Sequence, residues 1–272
     1  MEQSDASEKP LRMYIYILPN LVTTCNIFCG FFAMIYTIKQ NYMYAAYAIV
    51  VAAIFDTLDG RLARLTRSTS KFGAEYDSLC DVVSFGVAPA LLMFNWALQP
   101  FGRLGWMACF LFVACGAIRL ARFNVQVNIV EKNYFQGLPI PMAAGIVASA
   151  VLAFHELELD AWGNVLLLCM TILLAFVMVS NFRYRSFKDL DLKERMPFHY
   201  LIVGVSILFV VLLHPEVMLF ILFLTYATLG AVFGIFKLGK NVRKIKSSVY
   251  APAKVVDDHD LMEDEDEDEE TK

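Results

Sequence analysis

Long apolar runs separated by short polar stretches dominate this chain. A helix of about 20 apolar residues covers the ~30 Å hydrocarbon core of a bilayer. Runs of about this length lie near residues 20–38, 43–65, 74–98, 101–122, 139–155, 162–181, 198–213 and 216–236. The pattern predicts an all-α, polytopic membrane protein with about eight transmembrane helices.

Prolines mark several of the predicted helix boundaries. Pro19 and Pro139 are expected at helix starts, where a missing backbone N–H is harmless. Pro89 falls inside the third run, and a proline there removes an intrahelical hydrogen bond. We therefore expect a kink in the third helix.

The overall composition agrees with a membrane protein. Of the 272 residues, 58% are hydrophobic, whereas ordinary soluble domains contain roughly 45–50% apolar residues. The N-terminus is polar, contains acidic side chains and has no small-residue cleavage site after a basic start. No cleaved signal peptide is expected.

Basic residues are distributed unevenly between the two sides of the predicted membrane domain. If successive connections alternate between the sides, 21 of the 23 Lys and Arg residues share the side of the N-terminus, and Lys39 and Arg103 lie opposite. Cytoplasmic loops carry such an excess. Both termini are therefore expected in the cytoplasm, where the basic loops would attract anionic membrane lipids.

Three parts are expected along the chain: a polar N-terminal segment (1–14), a membrane domain (15–240) and a basic-then-acidic tail (241–272). Eleven of the 27 acidic residues crowd into 257–270. Like-charge repulsion and the scarcity of apolar residues predict a disordered tail.

Four aspartates interrupt the apolar pattern at one end of the second and third predicted helices. Asp56 and Asp59 are spaced i,i+3, and Asp77 and Asp81 are spaced i,i+4, so each pair lies on one face of its helix. A short basic connection joins the helices, so the two faces can oppose each other. Carboxylates at membrane depth are costly and are functional by default.

These carboxylates favour a hard divalent cation. Oxygen ligands without neighbouring His or Cys suit Mg²⁺ or Mn²⁺, and two such cations would neutralise four carboxylates. Gly60 and Gly73 remove side-chain bulk beside them, and Arg64 offers a planar set of donors for phosphate. The alternative is a structural network in which Arg61, Arg64 and Lys71 pair with the aspartates.

Further polar residues recur at helical spacing near the same side of the membrane. Asn20, Thr23 and Asn26 approach one face of the first helix, where they could line a nucleotide site or hydrogen-bond to another helix. Arg119 and Arg122 lie at the end of the fourth helix. They could bind a carboxylate or phosphate, or anchor that helix end at the headgroups.

The aspartate segment carries a family resemblance. From Asp56 to Asp81 the chain reads D-x-x-D-G-x-x-A-R-x8-G-x3-D-x3-D, which resembles the signature of the CDP-alcohol phosphatidyltransferase family. Segments 19–26, 78–90, 119–124 and 137–144 are similar to the bacterial phosphatidylserine synthase branch of that family. The resemblance covers roughly residues 15–240.

The resemblance implies metal-dependent transfer of a phosphatidyl group from CDP-diacylglycerol to L-serine, with release of CMP, in the inner (cytoplasmic) membrane. Two divalent cations, Mg²⁺ or Mn²⁺, are expected on Asp56, Asp59, Asp77 and Asp81, and Asp81 would also act as base on the incoming hydroxyl. The residues expected to bind CDP-diacylglycerol are Asn20, Thr23, Asn26, Asp56, Gly60, Arg64, Ser70 and Gly73. Those expected to bind serine or a phosphate are Arg119, Arg122 and Asn124.

Several alternatives stay open at this point. No Ser, His or Cys sits in an evident nucleophile-plus-base arrangement, so direct displacement is expected rather than a covalent intermediate. The aspartate motif alone would also serve glycerol 3-phosphate, an inositol phosphate or choline as acceptor. A divalent-cation transporter is the alternative from another class. The expected partners are the two substrates and membrane lipids, with no nucleic acid; whether the chain forms a homodimer stays open.

Overall fold

The described part of the chain is almost entirely helical. The computed structural model describes residues 8–66, 70–126, 134–180, 183–185 and 214–230. Its helices are α1 (Glu8–Ile38), α2 (Tyr42–Leu65), α3 (Lys71–Phe101), α4 (Arg103–Gln126), α5 (Ile140–Glu156), α6 (Val165–Val179) and α7 (Pro215–Gly230). Two short strands pair antiparallel. Strand β1 (Tyr134–Gln136) lies between α4 and α5, and strand β2 (Arg183–Arg185) follows α6.

The helices confirm a multi-pass membrane protein. Helices α1 to α4 each contain a stretch long and apolar enough to cross a membrane, and α5, α6 and α7 are shorter apolar helices. Each matches one of the predicted spans. The remaining predicted span (198–213) and the predicted disordered tail (241–272) lie outside the described residues, so the total of eight helices stays a prediction.

The two boundary prolines behave differently. Pro139 precedes α5 as its N-terminal cap, as predicted. The prediction for Pro19 was wrong, because α1 begins at Glu8 and Pro19 lies inside it. A proline within a membrane helix costs one backbone hydrogen bond, and neighbouring groups commonly offset that loss.

Helix α3 changes its hydrogen-bonding pattern on both sides of Pro89. The regular α-helix of Lys71–Asp81 passes into a π-helical segment at Val82–Val87, and a second π segment follows at Phe94–Leu98. In the first of these wide turns the N–H of Ala88 donates to the carbonyl of Val83. Two π-helical segments therefore flank Pro89, and the first begins directly after Asp81. The kink predicted at Pro89 stays a prediction.

Small residues bring α1, α2 and α3 close together. Side chains that are fully buried in this contact include Ala33, Ala45, Ala46, Ala52 and Ala88. At the narrowest point Gly30 of α1 faces Ser84 in the first π turn of α3, and a Cβ at position 30 would lie 2.7 Å from the Cα of Ser84. Such close packing is typical of membrane helices, whose association depends on backbone approach and interhelical hydrogen bonds.

Helix α5 occupies the centre of the described helices. Most of its residues from Ile140 to Ala153 are buried. Just before it, Gly137 has a φ of 77° and lies against the end of α6, where a Cβ would collide with the carbonyl of Met178. Many large apolar side chains on the other helices are exposed, including Phe28, Phe31, Phe110 and Leu166, as expected for surfaces that face lipid.

We expect Gly30→Ala to destabilise the protein. The added methyl group would meet the backbone of Ser84, which cannot move aside like a flexible side chain, and such overpacking costs about 1–3 kcal/mol. The measurement is thermal unfolding of purified protein in detergent. Gly86→Ala, in the same π turn, is the matched control because its Cβ would find its nearest neighbour at 3.8 Å. Equal melting temperatures for the two variants would contradict the close contact.

Candidate functional site

The end of α2 and the beginning of α3 bring carboxylates together. Asp56 and Asp59 lie about two turns before the end of α2, and Asp77 lies in the second turn of α3. One oxygen from each of these three side chains lies within 4.8 Å of the others. Because only a short connection separates the helices, the faces predicted to oppose each other do so.

The fourth aspartate completes this cluster from the next turn of α3. Asp81 is only 7% exposed, and its carboxyl group interacts with that of Asp56. It also accepts a hydrogen bond of 3.3 Å from Nδ2 of Asn26 on α1. The four carboxylates therefore form one group, which is walled on one side by the first helix.

The donor set fits a divalent cation. Two oxygens bound to one Mg²⁺ at its typical distance of about 2.1 Å lie roughly 3–4 Å apart, so the observed grouping, within 4.8 Å, is slightly wider than one cation requires. Oδ2 of Asp59 and Oδ1 of Asp77 are buried and have no hydrogen-bond partner among the described residues. Buried polar atoms without partners are rare in proteins, and a bound cation would give these two oxygens the partner that they lack.

The alternative of a structural ion-pair network finds no support. Across the described ranges, no lysine or arginine nitrogen lies within 4.0 Å of any of these four carboxylates. Arg64 turns back onto its own helix, where its Nε donates to the carbonyl of Gly60 at 2.9 Å. Buried carboxylates without a compensating cation are strongly disfavoured in a membrane, and no close cationic partner is found for these four among the described residues.

The entrance of α3 approaches α1 closely. Ser70 caps α3, since its Oγ accepts a hydrogen bond of 2.9 Å from the N–H of Gly73. A Cβ on Gly73 would lie 3.3 Å from Oδ1 of Asn20. Thr23, one turn further along α1, is buried, interacts with Asp59 and donates to the carbonyl of Pro19. Polar groups of α1 thus border the carboxylates, while their role at a nucleotide site stays a prediction.

The residues predicted at the end of α4 separate into different environments. Arg119 is 8% exposed, lies within electrostatic range of Asp81, and has a buried Nε without a hydrogen-bond partner in the described part of the chain. Arg122 donates from Nη1 to the carbonyl of Val179 at the end of α6. Asn124 donates to Oγ of Ser78, the residue after Asp77. Of the three side chains, Arg119 combines burial, charge and proximity to Asp81.

Sequence reasoning did not single out Ser78 and Ser84. Ser78 lies beside Asp77 and bonds to Asn124, while Ser84 donates from Oγ to the backbone carbonyl of Asn26 at 3.1 Å. Both serines lie within the third apolar run, close to the aspartates. Their position in an otherwise apolar segment is the signal that could have identified them.

Comparison with known proteins agrees with this site. The model of the CDP-alcohol phosphatidyltransferase family matches residues 16–180, which include all four aspartates and the helices that carry them. The chain belongs to the CDP-alcohol phosphatidyltransferase family.

Two of the relatives compared carry the same name, and a third carries a different one. A CDP-diacylglycerol--serine O-phosphatidyltransferase of Helicobacter pylori (strain J99) is 40% identical over 235 residues, which are 85% of this chain and 97% of the relative. A protein of the same name from Mycobacterium leprae is 31% identical over 224 residues, 78% of this chain and 72% of the relative. An archaetidylserine synthase of Methanothermobacter thermautotrophicus is 38% identical over 157 residues, 57% of this chain and 66% of the relative.

Proposed function

We propose that this protein transfers a phosphatidyl group from CDP-diacylglycerol to L-serine, forming phosphatidylserine and CMP. The observation that carries the proposal is the cluster of Asp56, Asp59, Asp77 and Asp81 at facing ends of two membrane helices. Family membership supports the phosphatidyl transfer, and the names of the relatives support serine as the acceptor.

The four carboxylates would hold two divalent cations, Mg²⁺ or Mn²⁺. When bound, such cations offset the charge that develops on the departing CMP. The donor set supports this assignment, because it consists of closely grouped oxygens and includes buried atoms without partners among the described residues. Asp81 would both contribute to the cation site and accept a proton.

The entrance formed by α1, α2 and α3 would bind the cytidine diphosphate portion. Gly60 leaves open space beside the carboxylates, since a Cβ there would meet only the Arg64 guanidinium within 4 Å, at 3.7 Å. Arg64 lies near the end of α2 and is not buried, so its guanidinium can turn to a phosphate. The further residues proposed to line this substrate are Asn20, Thr23, Asp56, Ser70 and Gly73.

The reaction would be a single displacement at phosphorus. The hydroxyl oxygen of serine forms a bond to the phosphorus of the phosphatidyl group, the bond from that phosphorus to the CMP oxygen breaks, and Asp81 takes the hydroxyl proton. Burial of Asp81 keeps competing water from the proton acceptor. Arg119 would bind the carboxylate of serine, with Arg122 and Asn124 at the same helix end as further candidates.

The cation-transport alternative is less well supported. The four carboxylates occupy one end of α2 and α3, whereas a permeation route would need polar groups through the midplane and beyond. The basic loops support a cytoplasmic orientation of this end and of both termini in the inner (cytoplasmic) membrane. A homodimer stays an open alternative, because apolar surface on all helices hides a dimer interface from sequence reading.

The decisive experiment measures CMP released by purified protein in detergent with CDP-diacylglycerol and Mn²⁺ or Mg²⁺. The acceptors to compare are L-serine, glycerol 3-phosphate, an inositol phosphate and choline, and an EDTA-treated sample tests the cation requirement. We expect CMP release that depends on serine and on the cation. Release with glycerol 3-phosphate but not serine would reassign the acceptor, and no release with any acceptor would refute the proposal.

A further inference from the structure

We propose that Asn26 is a positioning residue that fixes the orientation of the Asp81 carboxylate through its side-chain amide. Sequence spacing grouped Asn26 with residues expected to bind CDP-diacylglycerol, but its contacts point to a different task. The inference rests on the proposed function in treating Asp81 as the proton acceptor, and it assigns the residue that holds that acceptor in place.

The first support is the direct contact between the two side chains. Asn26 is fully buried, and its Nδ2 donates to Oδ1 of Asp81 at 3.3 Å. The opposite orientation of the amide would turn Oδ1 of Asn26 toward the carboxylate and create repulsion between two acceptors. The N–H donor is therefore the group that faces Asp81, and a donor restricts the direction in which the carboxylate can rotate.

The second support is the way in which Asn26 is itself held. Ser84, in the π turn that follows Asp81, is fully buried and donates from Oγ to the backbone carbonyl of Asn26 at 3.1 Å. Gly30 lets α1 approach the backbone of Ser84 at this point. A carboxylate and the residue that orients it are thus tied together by two contacts between the same pair of helices.

The positions of Asp81 and Ser84 along α3 are compatible with both contacts. Residues 81 and 84 are spaced i,i+3, which places both on the side of α3 that faces α1. The π segment at Val82–Val87 begins directly after Asp81 and contains Ser84. Single π turns within α-helices often occur at functional sites, where they redirect side chains. Here the π turn begins directly after Asp81 and contains Ser84, which bonds to the backbone of Asn26.

Oδ1 of Asn26 adds a further observation. It is buried and has no hydrogen-bond partner among the described residues. A purely structural asparagine in a dry helix contact would be expected to satisfy its acceptor. An amide that donates to Asp81 and leaves its acceptor open is consistent with a group placed for the carboxylate rather than for helix packing.

The test separates positioning from substrate binding through kinetics. In Asn26→Leu, which keeps the volume and removes the amide, we expect kcat with serine to fall about 10- to 100-fold, as for other groups that orient metal-site carboxylates, while KM for CDP-diacylglycerol stays nearly unchanged. Thr37→Val is the matched control, since Thr37 is also fully buried on α1 and bonds only locally, to the carbonyl of Ala33. A raised KM with unchanged kcat would return Asn26 to the substrate site and overturn the inference.

A second measurement does not depend on catalysis. Mn²⁺ affinity, measured by electron paramagnetic resonance, is compared for wild type, Asn26→Leu, Asp81→Ala and the double variant. If Asn26 acts through Asp81, its substitution weakens Mn²⁺ binding in the wild-type background but has no added effect once Asp81 is replaced. A loss that persists in Asp81→Ala, or a wild-type protein that binds no Mn²⁺, overturns the inference. An inactive wild type with a coupled pair would refute only the proposed function.

Discussion

Asp81→Asn is expected to abolish turnover while leaving much of the binding of CDP-diacylglycerol intact. The carboxamide keeps the shape of the side chain, and its oxygen can still accept the hydrogen bond from Asn26. It cannot take a proton from the serine hydroxyl, and loss of a general base costs on the order of 10²–10⁴ in rate. CMP release and binding of radiolabelled CDP-diacylglycerol to the same preparation give the two measurements.

The control for this variant is Asp160→Asn, which makes the same chemical change in the exposed connection between α5 and α6. Oδ1 of Asp160 accepts a hydrogen bond from the N–H of Trp162, and an asparagine can preserve that bond. We expect this control to retain full activity. Near-normal turnover in Asp81→Asn would exclude Asp81 as the base. Loss of binding together with turnover would instead place Asp81 mainly in the cation and substrate site.

Arg119→Gln is expected to lower kcat/KM for serine by on the order of 10²–10³, mainly through KM. Its guanidinium is buried beside Asp81, and its Nε has no hydrogen-bond partner within the described segments. Removing one partner of a buried charged pair, here Arg119 with the carboxylate of serine, costs about 2–5 kcal/mol. The expected loss of on the order of 10²–10³ in kcat/KM lies within that range. Steady-state kinetics with serine at fixed CDP-diacylglycerol provides the measurement.

Ethanolamine sharpens the test of Arg119, because it resembles serine without the carboxylate. We expect the wild type to prefer serine strongly and the variant to lose most of that preference, with little change in its activity toward ethanolamine. Arg103→Gln is the control, since Arg103 is an exposed arginine at the opposite end of the same helix. Equal losses with both acceptors would show that Arg119 does not recognise the carboxylate.

The helices could be predicted from sequence because each membrane helix satisfies its backbone hydrogen bonds internally and therefore appears in the sequence as a long apolar run. Predictions failed or fell short where neighbouring groups decide the outcome. Pro19 was expected at the start of α1, but the helix continues upstream of it to Glu8. Whether a helix continues through a proline depends on the residues around it. The two π turns of α3 leave no mark in hydrophobic periodicity beyond the presence of Pro89.

The aspartate cluster was predictable because its members lie on two adjacent helices joined by a short connection, so local spacing fixes the arrangement. The environment at the end of α4 could not be predicted in this way. Arg119 and Arg122 have the same i,i+3 relation as many pairs that share a face, yet one lies buried near Asp81 and the other bonds to α6. Which neighbour each meets depends on helix packing, which spacing alone does not specify.

The alanine-rich contact among α1, α2 and α3 has a consequence for redesign of this enzyme class. Because methyl groups and a glycine already separate these backbones, this helix contact has no spare volume for larger side chains. The end of α4 instead carries long, flexible side chains that can be exchanged without moving a backbone. Libraries intended to broaden the range of alcohols should therefore diversify the end of α4 and leave the alanines untouched.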